Sequence, residues 1–463
     1  MLPVVALVGR PNVGKSTLFN VLTRSRDALV ADEPGVTRDR HYGICRVAQR
    51  PYFIVDTGGL TDERDYLSEA TVRQSLAAVE ESNIAIFIVD AKDGLTAKDR
   101  TILSQLRRFG RPVVLAVNKT DGRDLHESLG DFSELGLEHV FAISSAHKRG
   151  IDALIDAVEE LLPPAAEEDV ELRMPGTRIA IIGRPNVGKS TLVNRLLGED
   201  RMIASDIPGT TRDAIHVALE RDGKPYVLVD TAGVRRKSKV EEAVEKFSII
   251  KMLQALQDTD VAVLMIDAQE GVTDQDASVL GLALQAGRAL VVVVNKWDGL
   301  STYQRSRCET ELARRLDFVP WAERIFISAL HGSGLAEMMA AVDRAAASAA
   351  ANFGASEVTK ALEMAVETNH PPMVSGRVAK MRYAHFGGSF PPRIVVHGSR
   401  LDSLPQSYIR YLENFFRKRF KLVGTPVVMD LRKGENPYAD KKNVLTDKQV
   451  TSRRRMMRHA KKR

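Results

Sequence analysis

The nine-residue string GRPNVGKST occurs twice, from Gly9 to Thr17 and again from Gly183 to Thr191, 174 positions apart. Its glycines, lysine and hydroxyl fit G-x-x-x-x-G-K-[ST], a loop that wraps phosphate. Glycine lets backbone N–H groups approach the anion closely, and the helix that follows adds the positive end of its dipole. The spacing assigns Gly9, Arg10, Pro11, Asn12, Val13, Gly14, Lys15, Ser16 and Thr17 to one triphosphate site. Gly183, Arg184, Pro185, Asn186, Val187, Gly188, Lys189, Ser190 and Thr191 form a second. Lys15 and Lys189 are the expected partners of the β- and γ-phosphates, and the Ser16 and Ser190 hydroxyls those of Mg2+.

Companion motifs follow each loop in the same order. YFIVDTGG carries Asp56, Thr57, Gly58 and Gly59; YVLVDTAG carries Asp230, Thr231, Ala232 and Gly233. In D-x-x-G, an aspartate ending an apolar strand partners Mg2+ through water, and the closing glycine amide senses the γ-phosphate. Thr37 in PGVTRD and Thr211 in PGTTRD stand where a switch threonine bonds Mg2+ and γ-phosphate only in the triphosphate state. The expected catalytic groups are thus Lys15, Thr37 and Gly59, then Lys189, Thr211 and Gly233. The expected Mg2+ groups are Ser16, Thr37 and Asp56, then Ser190, Thr211 and Asp230. N-K-x-D names the base: Asn118, Lys119 and Asp121, then Asn295, Lys296 and Asp298. A carboxylate accepts both the N1–H and the 2-amine of guanine. Adenine offers neither, so GTP is expected and not ATP. Ser145 and Ala146, with Ser328 and Ala329, resemble the loop behind the guanine. A lone DTGG or N-K-x-D is usually an ordinary loop; five motifs in one order, twice, are not.

The elements that must position these groups are visible as short apolar runs. MLPVVALVG and TRIAIIG read as buried strands before each loop, and TLFNVLTR and TLVNRLLG as helices after it. The first nucleotide domain is expected over 1–163, a proline-rich and acidic linker over 164–176, and the second domain over 177–350. Residues 351–440 alternate helix, strand, strand, helix and strand, an α+β pattern read as an antiparallel sheet beside helices. Ile409, Leu412, Phe416 and Phe420 form its apolar stripe; Arg410, Arg417, Lys418, Arg419 and Lys421 are its candidate RNA face. Residues 441–463 form a basic tail expected to be disordered when free.

The net charge of +6 hides an asymmetry. Residues 371–463 hold 22 Lys and Arg against 6 Asp and Glu, a balance of +16, which leaves −10 on residues 1–370. The basic excess therefore marks the C-terminal region for nucleic acid. Cys45 and Cys308 have neither disulfide nor metal spacing and suit a reducing compartment. No signal peptide is evident before the first strand, and no apolar run reaches the roughly 20 residues of a membrane helix. A cytoplasmic location without stable membrane association is expected.

With PGVTRD, DTAGVRRKSKV, EKFSIIK and SYIRYLENFFRKRF added to the doubled motifs, nearly the whole chain resembles the Der (EngA) family of double GTPases, bacterial ribosome-assembly factors. The resemblance implies two P-loop GTPase domains, each a mostly parallel sheet with flanking helices, plus a C-terminal α+β KH-like domain. It implies a monomeric GTP/GDP switch that hydrolyses GTP with Mg2+ and acts with rRNA in maturation of the large (50S) ribosomal subunit. Leu60 and Val234 stand where other GTPases carry a water-orienting glutamine. By resemblance, K+ held partly by Asn12 and Asn186 replaces an arginine finger, so hydrolysis is expected to be slow and K+-stimulated. The KH-like region lacks G-x-x-G, since Gly387 and Gly388 are adjacent. Backbone contact is therefore expected over sequence-specific single-strand reading. A tRNA-modification GTPase or a membrane-associated one is the weaker alternative: neither a further cofactor motif nor an amphipathic anchor is present.

Overall fold

The computed structural model describes residues 2–23, 41–45, 47–57, 78–122, 129–164, 174–199, 201–202, 216–229, 249–374 and 377–433. The chain divides into two compact units, Met1–Ala349 with Val423–Pro426, and Ala350–Leu422 with Val427–Arg463.

The first half of the larger unit runs β1 (Val4–Val8), α1 (Lys15–Thr23), β2 (His41–Ile44), β3 (Phe53–Asp56), β4 (Ile84–Asp90), α2 (Ala97–Arg108), β5 (Val113–Asn118), β6 (Val140–Ala142) and α3 (Ile151–Leu161). Its sheet order is β2-β3-β1-β4-β5-β6. Every pairing is parallel except β2 with β3. β1 and β4 are buried along their whole length. Their alternate residues explain why: Val5, Leu7, Ile86 and Ile88 pack with Leu18 and Leu22 of α1 and Leu154 of α3. Ala6, Val8, Phe87 and Val89 pack with Leu103 and Leu106 of α2. Strands covered on both faces are apolar along nearly their whole length, which is why they read as runs broken only at the terminal Asp90 of β4.

The second half repeats the plan with β7 (Thr177–Ile182), α4 (Lys189–Glu199), β8 (Arg201–Met202), β9 (Val217–Arg221), β10 (Lys224–Val229), α5 (Ile249–Gln257), β11 (Val261–Asp267), α6 (Asp274–Gln285), β12 (Ala289–Asn295), α7 (Thr302–Arg315), β13 (Glu323–Phe326) and α8 (Leu335–Ala350). The order is β13-β12-β11-β7-β10-β9-β8. β1 lies between β3 and β4, and β7 between β10 and β11, so the chain leaves each central strand at a switch point, where α/β sheets hold ligands. The two halves share apolar packing: Val4, Tyr42, Phe53 and Val55 join one cluster with Ile250, Leu253 and Leu256 of α5.

The smaller unit contains α9 (Ala355–Thr368), β14 (Met373–Val374), β15 (Arg377–Val378), β16 (Lys380–Gly388), β17 (Arg393–Ser399), α10 (Gln406–Arg419) and β18 (Val428–Lys433). Its core joins Val358, Leu362 and Ala365 of α9 to Ile394 and Val396 of β17 and to Leu412 and Phe416 of α10. Tyr408 Oη and Tyr411 Oη donate to Asn369 O (2.7 Å) and Ala365 O (2.8 Å), fastening α10 to α9. Two expectations are corrected. The sheet is mixed, not antiparallel: β16 pairs antiparallel with β17, but β17 pairs parallel with β18. The α10 crossover brings the chain back to the same end of the sheet, as a parallel pair requires. Arg417 does not belong to an exposed basic face; it is buried beside Glu413, and that burial lowers its basicity. Arg410, Lys418, Arg419 and Lys421 are exposed.

Candidate functional site: two phosphate loops with base-side braces

The loop between β1 and α1 turns on two left-handed residues, Asn12 (φ +63°) and Gly14 (φ +99°). Asparagine tolerates this conformation better than most side chains. At Gly14 no side chain fits, because a Cβ would stand 2.3 Å from Asn118 Nδ2. Lys15 begins α1 and is 4% exposed. Its ammonium donates back to Gly9 O (2.8 Å) and Arg10 O (2.7 Å), curling the loop around its own nitrogen. Burial lowers the Lys15 pKa to about 8, against the opposing pull of Asp56. Ser16 Oγ donates to Asp56 Oδ2 (2.8 Å), and Asp56 is fully buried at the end of β3. Thr57 Oγ1 donates to Leu7 O (2.8 Å), which ties this corner to β1.

The second loop has the same form. Asn186 (φ +66°) and Gly188 (φ +102°) are left-handed, and a Cβ on Gly188 would meet Asn295 Nδ2 at 2.3 Å. Lys189 Nζ donates to Arg184 O (2.8 Å). Identical strings 174 residues apart thus adopt one backbone in two surroundings.

The base side is braced by the N-K-x-D asparagines. Asn118 Nδ2 donates to Val13 O (2.7 Å) while Asn118 Oδ1 accepts Ser145 N (3.0 Å). Asn295 does the same with Val187 O (2.8 Å) and Ala329 N (2.9 Å). Lys119 Nζ donates to Asn12 O (2.7 Å) and Asp90 Oδ2 (2.6 Å), and Lys296 Nζ to Asp267 Oδ2 (2.5 Å). Each asparagine therefore spends its amide joining the phosphate loop to the loop that follows β6 or β13. Asp121 and Asp298 stand beside histidines, with His147 Nε2 at 3.9 Å and His331 Nε2 at 3.3 Å. A hydrogen bond from Ser328 and the nearby His331 hold the Asp298 carboxyl below its usual range.

Three arrangements were not read from the motifs. First, the structural counterpart of Ser328 is Ser144. Ser144 Oγ accepts His147 N and Ser328 Oγ accepts His331 N, each at 3.3 Å, and Ser145 occupies the place of Ala329. Setting the two I-S pairs of ISSAHKRG and ISALHGSG in register would have shown this. Second, Asp90 and Asp267, at the ends of β4 and β11, anchor the N-K-x-D lysines. Third, Arg10 turns its guanidinium to Asp93 (3.2 Å) and Asp99 (3.0 Å), and Arg184 turns to Glu270 and to Asp276 (3.3 Å). These arginines contribute backbone to their loops and side chain to the helix behind them. Thr37, Gly58, Gly59, Thr211, Asp230, Thr231, Ala232 and Gly233 lie outside the described residues.

Comparison with known proteins agrees with this doubled geometry. The model of a family described as 50S ribosome-binding GTPase matches residues 4–119 and 178–296. That of the KH-domain-like C-terminal region of EngA bacterial GTPases matches 353–432. The sequence is 59% identical over 463 residues, the whole of both chains, to GTPase Der of Xanthomonas oryzae pv. oryzae. The chain belongs to the Der (EngA) family of GTPases. Within that family, GTPase Der of Stenotrophomonas maltophilia is 58% identical, again over the whole of both chains. Among solved structures, Era of Aquifex aeolicus bound to GDP and AlF4− is 18% identical, with a TM-score of 0.32 over 69% of this chain and 99% of that one. As a member of a GTPase family, the chain hydrolyses GTP; its fold is two P-loop GTPase domains and a KH-like domain. Among the described residues, no helix is long and apolar enough to cross a membrane.

Proposed function

We propose that each half binds one GTP with Mg2+ and that the pair operates as a nucleotide switch in assembly of the large ribosomal subunit. The reading rests chiefly on full-length identity to proteins named GTPase Der, with the 50S ribosome-binding description of the matched G domains as support. Lys15 and Lys189 neutralise phosphate, Gly59 and Gly233 sense the γ-phosphate, and Asp121 and Asp298 select guanine. Ser16, Thr37 and Asp56, with Ser190, Thr211 and Asp230, would hold Mg2+, which would offset the negative charge of the phosphates. The 2.8 Å approach of Ser16 Oγ to Asp56 Oδ2 supports that assignment, since a hydroxyl and a buried carboxylate converge beside the phosphate loop. Asn12 and Asn186 would help hold K+, so hydrolysis is slow and rises when K+ replaces Na+ at matched ionic strength; equal rates would remove K+ from the proposal.

The C-terminal balance of +16 supports rRNA as the binding partner of a monomeric chain in the cytoplasm. Co-sedimentation with 50S subunits under GTP, GDP and a non-hydrolysable GTP analogue tests the switch. Binding is expected to change with the nucleotide, and liposomes should not pellet the chain. Binding that ignores the nucleotide would defeat the proposal.

A further inference from the structure

The three-stranded sheet of the smaller unit has one face turned to its helices and one turned away. Register settles which residues share the outer face. Ala384 pairs with Val396 and Phe386 with Ile394, and all four belong to the core. The alternate pairs, Tyr383 with His397 and His385 with Val395, therefore lie on the other face, where Tyr383 is exposed, the two histidines are half-buried and Val395 is buried. β18 continues the rows in parallel, placing Arg432 beside His397 and Asp430 beside Val395. One row across the sheet thus reads Tyr383, His397, Arg432, three flat groups side by side.

The rings are piled, not scattered. Tyr383 and His397 stack at 4.6 Å and 10° between planes, and His385 and His397 at 5.2 Å and 23°. Tyr383 remains 49% exposed. The pile borders two clefts: one of about 590 Å³ at the β16 edge, between Tyr383 and His385 and the Lys360 and Glu363 side of α9, the other of about 560 Å³ bordered by His385, Arg393 and Arg432. Gly387 in the lining of the second lies against Val395, where a Cβ would stand 2.6 Å from Val395 Cγ2. Two Arg432 N–H groups donate to Asp430 (3.0 and 3.2 Å), which orients the guanidinium; exposed Lys380 and Arg393 add positive charge.

Stacked aromatics set among basic side chains suit one kind of ligand: unpaired bases on a phosphodiester chain. Every base has a π-face, so such a platform binds single strands with little sequence preference. An acidic polypeptide would use the charges but leave the ring pile without a purpose. We infer that the outer face of β16, β17 and β18 is a base-stacking platform for single-stranded RNA, an inference that rests on the rRNA reading and locates the contact away from the α10 arginines.

The test uses the full-length chain and a fluorescein-labelled oligouridylate of about 10 nucleotides, beside an abasic ribose-phosphate chain of equal length, read by anisotropy. The oligouridylate is expected to bind more tightly than the abasic chain. Tyr383→Ala is expected to lose about tenfold in affinity for it, with little change for the abasic chain, while Tyr383→Phe retains binding. Arg393→Glu should weaken both ligands and flatten the salt dependence. Equal affinity of the unaltered chain for the two ligands overturns the platform, as does indifference to Tyr383→Ala, or displacement of the oligouridylate by polyglutamate at equal charge. Subunit co-sedimentation keeps this separate from the ribosome reading. A chain that pellets with 50S subunits yet binds both oligomers equally sinks the platform alone. One that stacks uridylate through Tyr383 but never pellets sinks the ribosome reading alone.

Discussion

The Arg10 guanidinium lies 3.0 Å from the fully buried Asp99 carboxylate, which also caps α2. Asp99 Oδ2 accepts both Thr96 N (3.0 Å) and Thr96 Oγ1 (2.7 Å), so one carboxylate starts a helix and holds a phosphate loop. Arg184 and Asp276 repeat the relationship at 3.3 Å, with Thr273 in the place of Thr96. Asp99→Ala would remove the carboxylate half of the capping box, keeping the Thr96 cap on the residue-99 amide, and leave a mostly buried guanidinium without this partner. A loss of about 3 kcal/mol is expected in urea unfolding, with weaker GTP binding at the same site. Asp99→Asn should lose less, because an amide oxygen can still cap. Undiminished stability in Asp99→Ala would refute the shared role.

Asn118→Ala should act on two loops at once. It strips partners from Val13 O and Ser145 N, two backbone groups that the Asn118 amide now satisfies. Stability should fall by about 2 kcal/mol or more, and GTP affinity at the first site should fall while the second is unchanged. Calorimetry on the Lys189→Ala background isolates the first site.

Guanine selection is tested at Asp121 and Asp298. Asp121→Asn and Asp298→Asn should shift the respective site from GTP toward xanthosine triphosphate, with about 3 kcal/mol lost for GTP. Competition binding with the two nucleotides reads the change. Unaltered GTP affinity would mean that these carboxylates do not face the base.

The acid side of the profile distinguishes the second site. Ser328 helps hold Asp298 below the usual carboxylate range, so its charge is present above that depressed pKa and is lost only as pH falls through it. Ser328→Ala should let Asp298 protonate at higher pH, and GTP affinity at the second site should begin to fall at a less acidic pH than in the unaltered chain. Nucleotide titrations between roughly pH 4 and 7 measure the displacement.

Lys15→Ala and Lys189→Ala should each abolish one site and reduce the GTP stoichiometry from two per chain to one. A stoichiometry that stays at two after either change would contradict the assignment of the loops.

Much of this was legible before any coordinates, because the phosphate loops are local. Nine contiguous residues contain the glycines, the lysine and the hydroxyl, and the strand before and helix after them are marked by unbroken apolar runs. The N-K-x-D motif was legible for the same reason, yet its asparagines proved to brace neighbouring loops through contacts to Val13 and Val187 more than a hundred positions away. The antiparallel sheet and the exposed Arg417 were misread because both depend on how α10 crosses the sheet. Residue order alone leaves that crossing open.

The amino-acid sequence by itself determined that this chain carries two phosphate loops, two D-x-x-G motifs, two N-K-x-D motifs and a basic C-terminal region. Such features are contiguous, and the chemistry of a short segment needs no distant partner to be recognised. Tertiary structure alone decided that Arg10 meets Asp99, that Ser144 matches Ser328, and that Tyr383, His397 and Arg432 share one row. Those relations rest on strand register and helix crossing. In the sheet, a shift of one residue would turn Tyr383, His397 and Arg432 to the opposite face while leaving composition and motifs unchanged.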